Sequence, residues 1–214
     1  YSSRPGAAHV SEEEELKRIL PVIHLLVRKF PEILISIDTF RSKIAQECIQ
    51  AGAAIINDIS GGSMDAEMFK TVANLQVPYI VMHMQGTPQN MQKNPIYEAV
   101  TSDLISFFAD KIHQLHQLKV NDVLIDVGFG FGKTQEHNFE LLKNLSLFKS
   151  LEAPILVGVS RKSMLYKTLG ISAQEALNAT TSANTIALLN GASILRVHDV
   201  KEAVEAVKIV AQIR

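Results

Sequence analysis

Six short apolar runs, each followed by a helical pattern, constrain the fold of this chain more than any other feature of its sequence. The runs are Ile33–Ile37, Ala53–Ile56, Tyr79–Met82, Val123–Ile125, Ile155–Val159 and Ile194–Leu195. The clearest helical patterns are Phe40–Gln50, Leu104–Leu118, Asn138–Ser150, Ala173–Asn190 and Lys201–Ile213. Parallel strands need helical crossovers, because each strand must start at the same edge of the sheet as the strand before it. The alternation therefore predicts an α/β fold with a parallel sheet.

More specifically, the alternation predicts a (β/α)8 TIM barrel. Such a barrel has eight strands, whereas the sequence offers six and a helical pattern that precedes them. We therefore expect that the first two strands are missing from this sequence, which begins in the turn-rich segment Tyr1–Gly6. Residues 1–214 then form one barrel domain that is incomplete at its N-terminus. A doubly wound open sheet is the alternative architecture, because six strands suffice for it.

The first helix has a clear start and one irregularity. Ser11 is followed three residues later by Glu14, which is the spacing of a capping box. Apolar residues then recur at helical spacing from Leu16 to Phe30. Pro21 lies inside this pattern and predicts that the helix kinks or restarts midway.

Composition and charge narrow the kind of partner and the compartment. The net charge is −1 and the basic residues are dispersed, which argues against a nucleic acid or an anionic membrane and favours small molecules. The single cysteine, Cys48, excludes a disulfide framework and suits a reducing compartment. No secretion signal is recognisable, and no apolar run approaches the roughly 18 residues that a membrane span needs. We therefore expect a soluble cytoplasmic protein.

Polar or charged residues stand where each of the six apolar runs ends. In chain order they are Asp38, Asn57, His83, Asp126, Lys162, and Arg196 with His198. A single Asp or Asn in such a place usually caps a turn or a helix. Because the strand ends of a barrel converge on one mouth, the whole set predicts a shared pocket. Side chains alternate along a strand, so Met82 and His83 cannot both face the barrel interior, and we expect Met82 to do so.

The loop after the fourth run is rich in glycine and phenylalanine. Gly128, Gly130 and Gly132 alternate with Phe129 and Phe131, which allows the main chain to approach a flat ligand closely. The loop resembles a Walker A motif, but three residues separate Gly128 from Gly132 where that motif needs four. We interpret it as a turn with packed aromatic rings, in which the following Lys133 is a loop or helix-cap cation.

The expected pocket has two chemically different halves. Two carboxylates, an amide and a lysine suit a flat, nitrogen-rich heterocycle, since they accept from ring N–H groups and donate to a ring carbonyl. Phe129 or Phe131 would cover one face of that ring. Arg4, Arg196 and His198 form a cationic set that suits a phosphate or diphosphate leaving group.

Seven motifs resemble those of the dihydropteroate synthases of folate biosynthesis, in the order that the family has them. They are Ser2-Ser3-Arg4-Pro5-Gly6, Ser36-Ile37-Asp38-Thr39, Asn57-Asp58-Ile59, Met82-His83-Met84-Gln85-Gly86, Asp126-Val127-Gly128-Phe129-Gly130-Phe131-Gly132-Lys133, Ser160-Arg161-Lys162 and Arg196-Val197-His198-Asp199. The resemblance implies a transferase that condenses 6-hydroxymethyl-7,8-dihydropterin diphosphate with p-aminobenzoate. Its products would be 7,8-dihydropteroate and diphosphate.

The resemblance also assigns roles to residues of this chain. The pterin-binding set would be Asp38, Asn57, Met82, Asp126 and Lys162, of which Lys162, Asp38 and Asp126 would be catalytic. Arg4, Arg196 and His198 would bind the diphosphate, and Ser3, Pro5, Phe131 and Ser160 would line the p-aminobenzoate site. The family implies a homodimer through the late helices, a site that sulfonamides also occupy, and Mg2+. The expected metal ligand lies upstream of Tyr1, so the sequence identifies none.

Two other functions are compatible with the same strand ends. A pterin-binding methyltransferase domain resembles this chain in its barrel and in its Asp, Asn and Asp set, but it has no diphosphate to hold. The second alternative is a barrel fragment without catalytic activity, because two strands would be missing.

Overall fold

A computed structural model describes residues 10–91 and 95–213 of the chain. Within these ranges the strands are β1 (Ser36–Asp38), β2 (Ile55–Asp58), β3 (Tyr79–Met82), β4 (Val123–Asp126), β5 (Ile155–Val157) and β6 (Ile194–Leu195). The helices are α1 (Glu12–Lys29), α2 (Ser42–Gln50), α3 (Met68–Leu75), α4 (Val100–Gln117), α5 (Gln135–Lys143), α6 (Ser163–Leu169), α7 (Leu177–Leu189) and α8 (Val200–Val210), with a 3-10 helix at Leu145–Leu151.

The strands form one parallel sheet in chain order, from β1 to β6. The sheet is curled, because Ser36 of β1 and Ile194 of β6 line the same cavity although they belong to its two outermost strands. A doubly wound sheet would change direction in its strand order, and this one does not. The structure confirms the barrel prediction: the chain forms an arc that contains six of the eight strands of a (β/α)8 barrel.

The two faces of the sheet carry different side chains. Ile56, Val81, Ile125 and Val157 point outward and pack with the helices in one buried apolar cluster. The alternate positions point into the arc and end in polar groups at the carboxyl ends of the strands. The outer face therefore supplies the apolar burial that stabilises the fold, and the inner face is free to bind ligands.

Helix α1 runs without interruption through Pro21, so of the predicted kink or restart the restart does not occur. The side chain of Ser11 accepts a hydrogen bond from the Glu14 backbone N–H at 3.2 Å, as the capping pattern predicts. Ile23 is buried, and the apolar side of the helix packs with α2 in a second core cluster. This packing extends over both halves of the helix and outweighs the single backbone hydrogen bond that a proline removes.

Other element boundaries also differ from the sequence prediction. Strand β1 begins at Ser36 rather than Ile33, and both Ile33 and Leu34 are exposed. Helices α3 and α6 have only eight and seven residues. Two turns of helix are too short to show a helical period clearly, which is why these two elements were not individually predicted.

Cys48 is buried in α2, where burial and then the charges of Glu15 and Glu47 raise the pKa of its thiol to about 11. The thiol is thus neutral and has no access to solvent, as befits a packing residue. In the described part of the chain, none of the helices combines the length and the apolar character that crossing a bilayer requires.

We expect Phe108→Ala to lower the free energy of unfolding by about 3–5 kcal/mol. Phe108 is fully buried and packs against Phe107 and Phe148, with ring centroids 5.2 and 6.1 Å away. Urea denaturation measures the change. The matched control is Leu147→Ala, because Leu147 is 55% exposed, and its effect should stay within about 0.5 kcal/mol. Equal losses in the two variants would contradict this account of the core.

Candidate active site at the carboxyl ends of the strands

The ends of β1 and β2 form one half of the candidate site. Asp38 and Asn57 are neighbours in the parallel register, and the Asn57 Nδ2 donates to the Asp38 Oδ1 at 2.6 Å. The Asn57 Oδ1 is buried and has no hydrogen-bond partner among the described residues. A buried amide oxygen without a partner costs free energy, so this atom suits a ligand that donates a hydrogen bond to it.

Arg196, which follows β6, reaches across the arc to the carboxylate of Asp38. This ion pair joins the first and last strands of the sheet at the mouth of the cavity, whose volume is about 470 Å³. Both side chains are partly exposed, at 55% and 36%, so solvent weakens their attraction. The pair can therefore open when a ligand offers either group a better partner.

The ends of β3 and β4 form the next part of the site. Met82 and Asp126 are register neighbours, and Met82 lies on the same side of β3 as Ile80, which lines the cavity. The ring of His83 lies on the other side, edge-on to Phe107 with centroids 4.8 Å apart. Met82 therefore faces the interior and His83 does not, as the alternation predicts.

The carboxylate of Asp126 is buried at the centre of the site. Its Oδ1 accepts a hydrogen bond from the Gly128 N–H at 2.8 Å. Burial raises the pKa of this carboxyl group, and the hydrogen bond and the charges of Lys162, Arg196 and Lys133 oppose that effect. The cations that surround Asp126 thus favour its ionised form in a place where burial alone would disfavour it.

Lys162 follows β5, and its side chain lies against the glycine loop. Its Nζ lies 4.5 Å from the centroid of the Phe131 ring. Burial lowers the pKa of Lys162, the charge of Asp126 opposes this, and the charge of Arg196 adds to it. A second cavity of about 270 Å³ adjoins these cations and is lined by Gly158, Ser160, Lys162, Arg196, Val197 and His198. This second cavity suits an anion.

The ends of β5 and β6 are cross-linked by side chains. The Ser160 hydroxyl lies 2.9 Å from the His198 Nδ1 and accepts from the His198 backbone N–H at 3.2 Å. Arg161 donates to both carboxylate oxygens of Asp199, at 2.9 and 2.8 Å, in the bidentate geometry that guanidinium groups favour. These contacts hold the segments that carry Lys162 and His198, which line the same cavity.

The role of Arg161 was not predicted from the sequence. It belongs to the motif Ser160-Arg161-Lys162, yet it turns away from the cavity and also donates to the carbonyl groups of Ala173 and Gln174. The sequence contained one signal for this role: a basic residue lies next to Lys162 and an acidic residue lies next to His198. Only the structure shows that these two pair with each other rather than with a ligand.

The glycine loop after β4 needs its glycines. Gly128 has a φ of +68°, and a Cβ there would lie 2.0 Å from the His83 carbonyl oxygen. Of the two aromatic residues, Phe129 is buried in the outer core, whereas Phe131 is partly exposed beside Lys162. Phe131 is therefore the ring that can contact a ligand. Lys133 is a loop cation rather than a helix cap, because Thr134 caps α5, and its side chain is buried.

Three predicted site residues, Ser3, Arg4 and Pro5, lie outside the described residues. The structure brings the other predicted residues to one rim, where Arg196 borders both cavities. Among residues 10–91 and 95–213, no group of three or more His, Cys, Asp and Glu side chains is arranged to hold a metal ion.

Comparisons with known proteins agree with this geometry. Residues 1–198 match the family model described as "Pterin binding enzyme". The dihydropteroate synthase of Escherichia coli K12 is 42% identical over 211 residues, which are 98% of this chain and 74% of the relative.

Two solved structures have nearly the same fold. The dihydropteroate synthase of Yersinia pestis in complex with a sulfonamide drug superposes with a TM-score of 0.94 at 42% identity, covering 100% of this chain and 78% of that one. The dihydropteroate synthase of Xanthomonas albilineans with 4-aminobenzoic acid has a TM-score of 0.91 at 34% identity, covering 99% of this chain and 76% of that one.

We expect Gly128→Ala to destabilise the protein more than Gly170→Ala. Both residues have a left-handed φ, +68° and +66°, so each alanine costs about 1–2 kcal/mol in backbone strain. At Gly170 a Cβ would meet nothing within 4 Å, whereas at Gly128 it would meet the His83 carbonyl. Urea unfolding of the two variants measures the difference, and equal midpoints would show that the loop does not pack against β3 as described.

Proposed function

Because the chain belongs to the pterin-binding enzymes, and among them to the dihydropteroate synthases, we propose that different strand ends bind the two substrates of the dihydropteroate synthase reaction. The reaction condenses 6-hydroxymethyl-7,8-dihydropterin diphosphate with p-aminobenzoate and releases diphosphate in folate biosynthesis. The observation that carries the proposal is the shared rim: Asp38, Asn57 and Arg196 border one cavity, and Lys162 and Arg196 border the adjoining one.

We assign the pterin ring to the half of the site that contains Asp38, Asn57 and Asp126. The two carboxylates can accept from ring and amino N–H groups, and the free Oδ1 of Asn57 offers a third acceptor. Lys162 can donate to the ring carbonyl, and Met82 can pack against a ring face. This half therefore matches a flat heterocycle with several N–H donors.

We assign the diphosphate to the cationic cavity beside it. Arg196 and His198 line this cavity, and Arg4 would join them by the resemblance of its motif. A diphosphate offers Arg196 a stronger bidentate partner than the partly exposed carboxylate of Asp38 does. Binding of the anion would thus release Asp38 to the pterin.

We assign p-aminobenzoate to the space beside Phe131 and Ser160, with Ser3 and Pro5 joining by resemblance. The Phe131 ring is held next to Lys162, and Ser160 is held by His198. Both contacts fix these side chains before substrate arrives, which lowers the entropy that binding costs. We extend the same site to sulfonamides, since the related Yersinia pestis enzyme is known in complex with such a drug.

The mechanism that fits this site is a substitution at the pterin methylene carbon without a covalent enzyme intermediate. The C–O bond to diphosphate breaks, and its electron pair leaves with the anion toward Arg196 and His198. Positive charge develops on the methylene and ring, where Asp38 and Asp126 stabilise it. The amine of p-aminobenzoate then forms the C–N bond and releases a proton to water or to the departing diphosphate. Positioning and electrostatics suffice, because the leaving group is good and the nucleophile is neutral.

We also propose Mg2+ as a cofactor, on the resemblance alone. Mg2+ commonly binds through substrate phosphates and water as well as carboxylates. Among the described residues, no group of three or more His, Cys, Asp and Glu side chains could hold the ion. Each step above is written with side chains of this chain. We place the protein in the cytoplasm, in keeping with its single cysteine and its folate chemistry.

We propose a homodimer that buries the outer faces of α7 and α8. The two helices pack together through Leu188, Ala206 and Val210. Their outer sides expose a set of large apolar residues: Ile186, Leu189, Val204, Val207 and Ile209. Several large apolar residues exposed on two packed helices are typical of a protein interface.

Incubation with dihydropterin diphosphate, p-aminobenzoate and Mg2+, followed by detection of dihydropteroate, tests the proposed function. We expect Lys162→Ala to lower turnover about 100-fold or more, since it removes a half-buried cation from the reacting centre. The circular dichroism spectrum of this variant should match that of the unmodified protein. Lys167→Ala, at an exposed position on α6, is the control and should retain turnover.

Unchanged turnover in Lys162→Ala would contradict the site assignment. Absence of product from the unmodified protein would instead favour the inactive barrel fragment, whereas methyl transfer from a methylated pterin would favour the methyltransferase domain.

We expect Val207→Glu to convert the dimer to a monomer, because a carboxylate buried at an apolar interface is strongly unfavourable. Val207 is 44% exposed in the protomer, so the protomer itself tolerates the change. Sedimentation velocity measures the mass. Leu118→Glu, at a residue 43% exposed after α4, is the control and should remain dimeric. A monomeric unmodified protein would refute the dimer.

A further inference from the structure

Lys133 is a buried lysine that the reaction scheme above does not use. It is 4% exposed, and its Nζ has three hydrogen-bond partners. The Nζ lies 3.0 Å from the His83 Nδ1 and donates to the carbonyl oxygens of His83 and Phe131, at 3.2 and 3.0 Å. Three N–H groups thus meet three acceptors, which is the full donor capacity of an ammonium group.

His83 is held rigidly on the other side of this contact. Its ring packs edge-on against Phe107, and its centroid is 6.0 Å from that of Tyr97. Burial and then the charge of Lys133 lower the pKa of His83 to about 3, so the imidazole is neutral. Its Nδ1 therefore accepts from Lys133, and the ring proton resides on Nε2.

The three contacts of Lys133 join the end of β3 to the glycine loop after β4. The loop also lies close to the segment that follows β3, since a Cβ at Gly132 would lie 2.6 Å from the Gln85 carbonyl oxygen. Tyr97 adds a hydrogen bond from its hydroxyl to the Gly132 carbonyl at 2.7 Å. Of the residues that hold the loop here, Lys133 is the one whose side chain donates to the Phe131 carbonyl oxygen.

The position of Phe131 matters because its ring lies beside Lys162 at the candidate site. A glycine on each side leaves the Phe131 backbone with little intrinsic preference for one conformation. Its own N–H donates to the Gly128 carbonyl at 3.0 Å, and its carbonyl accepts from Lys133. Loss of the ammonium group would leave that carbonyl without its side-chain donor.

We propose that Lys133 is a positioning residue: its buried ammonium group fixes the Phe131 segment of the glycine loop against β3 and thereby shapes the p-aminobenzoate side of the site. The inference rests on the proposed function, because it assigns the Phe131 side to that substrate. Lys133 contacts no substrate in this arrangement and acts through Phe131 and Lys162.

The electrostatics agree with a role beyond packing. Burial lowers the pKa of Lys133 to about 7; the charge of Asp126 opposes this shift and that of Lys162 adds to it. A buried ammonium group is costly, and an apolar side chain of similar length would fill the same volume without that cost. Stability alone therefore does not account for a lysine here.

The test compares Lys133→Met with Lys143→Met, which makes the same chemical change at an exposed position on α5. In Lys133→Met we expect the KM for p-aminobenzoate to rise roughly tenfold, with less than about a twofold change in the KM for dihydropterin diphosphate. Amide hydrogen exchange in residues 128–132 should accelerate in the same variant. Lys143→Met should match the unmodified protein in all three measurements.

A purely structural lysine would give a different result. Unchanged KM values, or equal rises in both, would overturn the inference, as would unchanged exchange in residues 128–132. If Lys133→Met does not fold, His83→Phe serves instead, because it removes one acceptor of the Nζ and keeps an aromatic ring against Phe107. A soluble His83→Phe variant with an unchanged KM for p-aminobenzoate would refute the proposal. If the unmodified protein forms no dihydropteroate, the proposed function fails, whereas hydrogen exchange still tests the role of Lys133.

Discussion

The parallel register of the sheet is the constraint on which the site depends. Because neighbouring strands run in the same direction, their carboxyl ends meet at one rim and residues far apart in the chain become neighbours. Asp38 lies beside Asn57 in the register, and Met82 lies beside Asp126. A one-residue slip in any of these pairings would move the functional side chain to the outer face, where the helices pack.

The same alternation separates stability from function. The outward residues of the strands bury themselves with the helices in one large apolar cluster, which provides most of the driving force for folding. The inward residues do not have to form a core. Their ends can therefore carry a buried carboxylate at Asp126 and, at Asn57, an amide oxygen that has no partner within residues 10–91 and 95–213. Such groups lower stability, and the outer core offsets their cost.

Several side chains of the rim hold one another in place without a ligand. Ser160 holds His198, and Arg161 binds Asp199, so the ends of β5 and β6 are joined by contacts between side chains. Arg196 and Asp38 form a partly exposed ion pair across the mouth. The first two contacts are internal supports, whereas the third joins two groups that we assign to different substrates. Catalysis by positioning needs both kinds of contact: those that keep the site rigid and those whose groups can exchange one partner for another.

The sequence by itself determined the parallel architecture and the identity of the rim. Apolar runs that end on polar groups report where strands occur and which residues follow them, which are local properties, so Asp38, Asn57, Asp126 and Lys162 could be identified without coordinates. The sequence did not determine that α1 continues through Pro21, because the continuity of this helix depends on its packing against α2. Nor did it determine what Lys133 and Arg161 contact. Both are cations next to site residues, and only the tertiary structure shows that carbonyl groups and an imidazole surround the first and that Asp199 binds the second. The partner of a long charged side chain depends on which groups the fold brings within its reach, and local sequence carries no information about that distance.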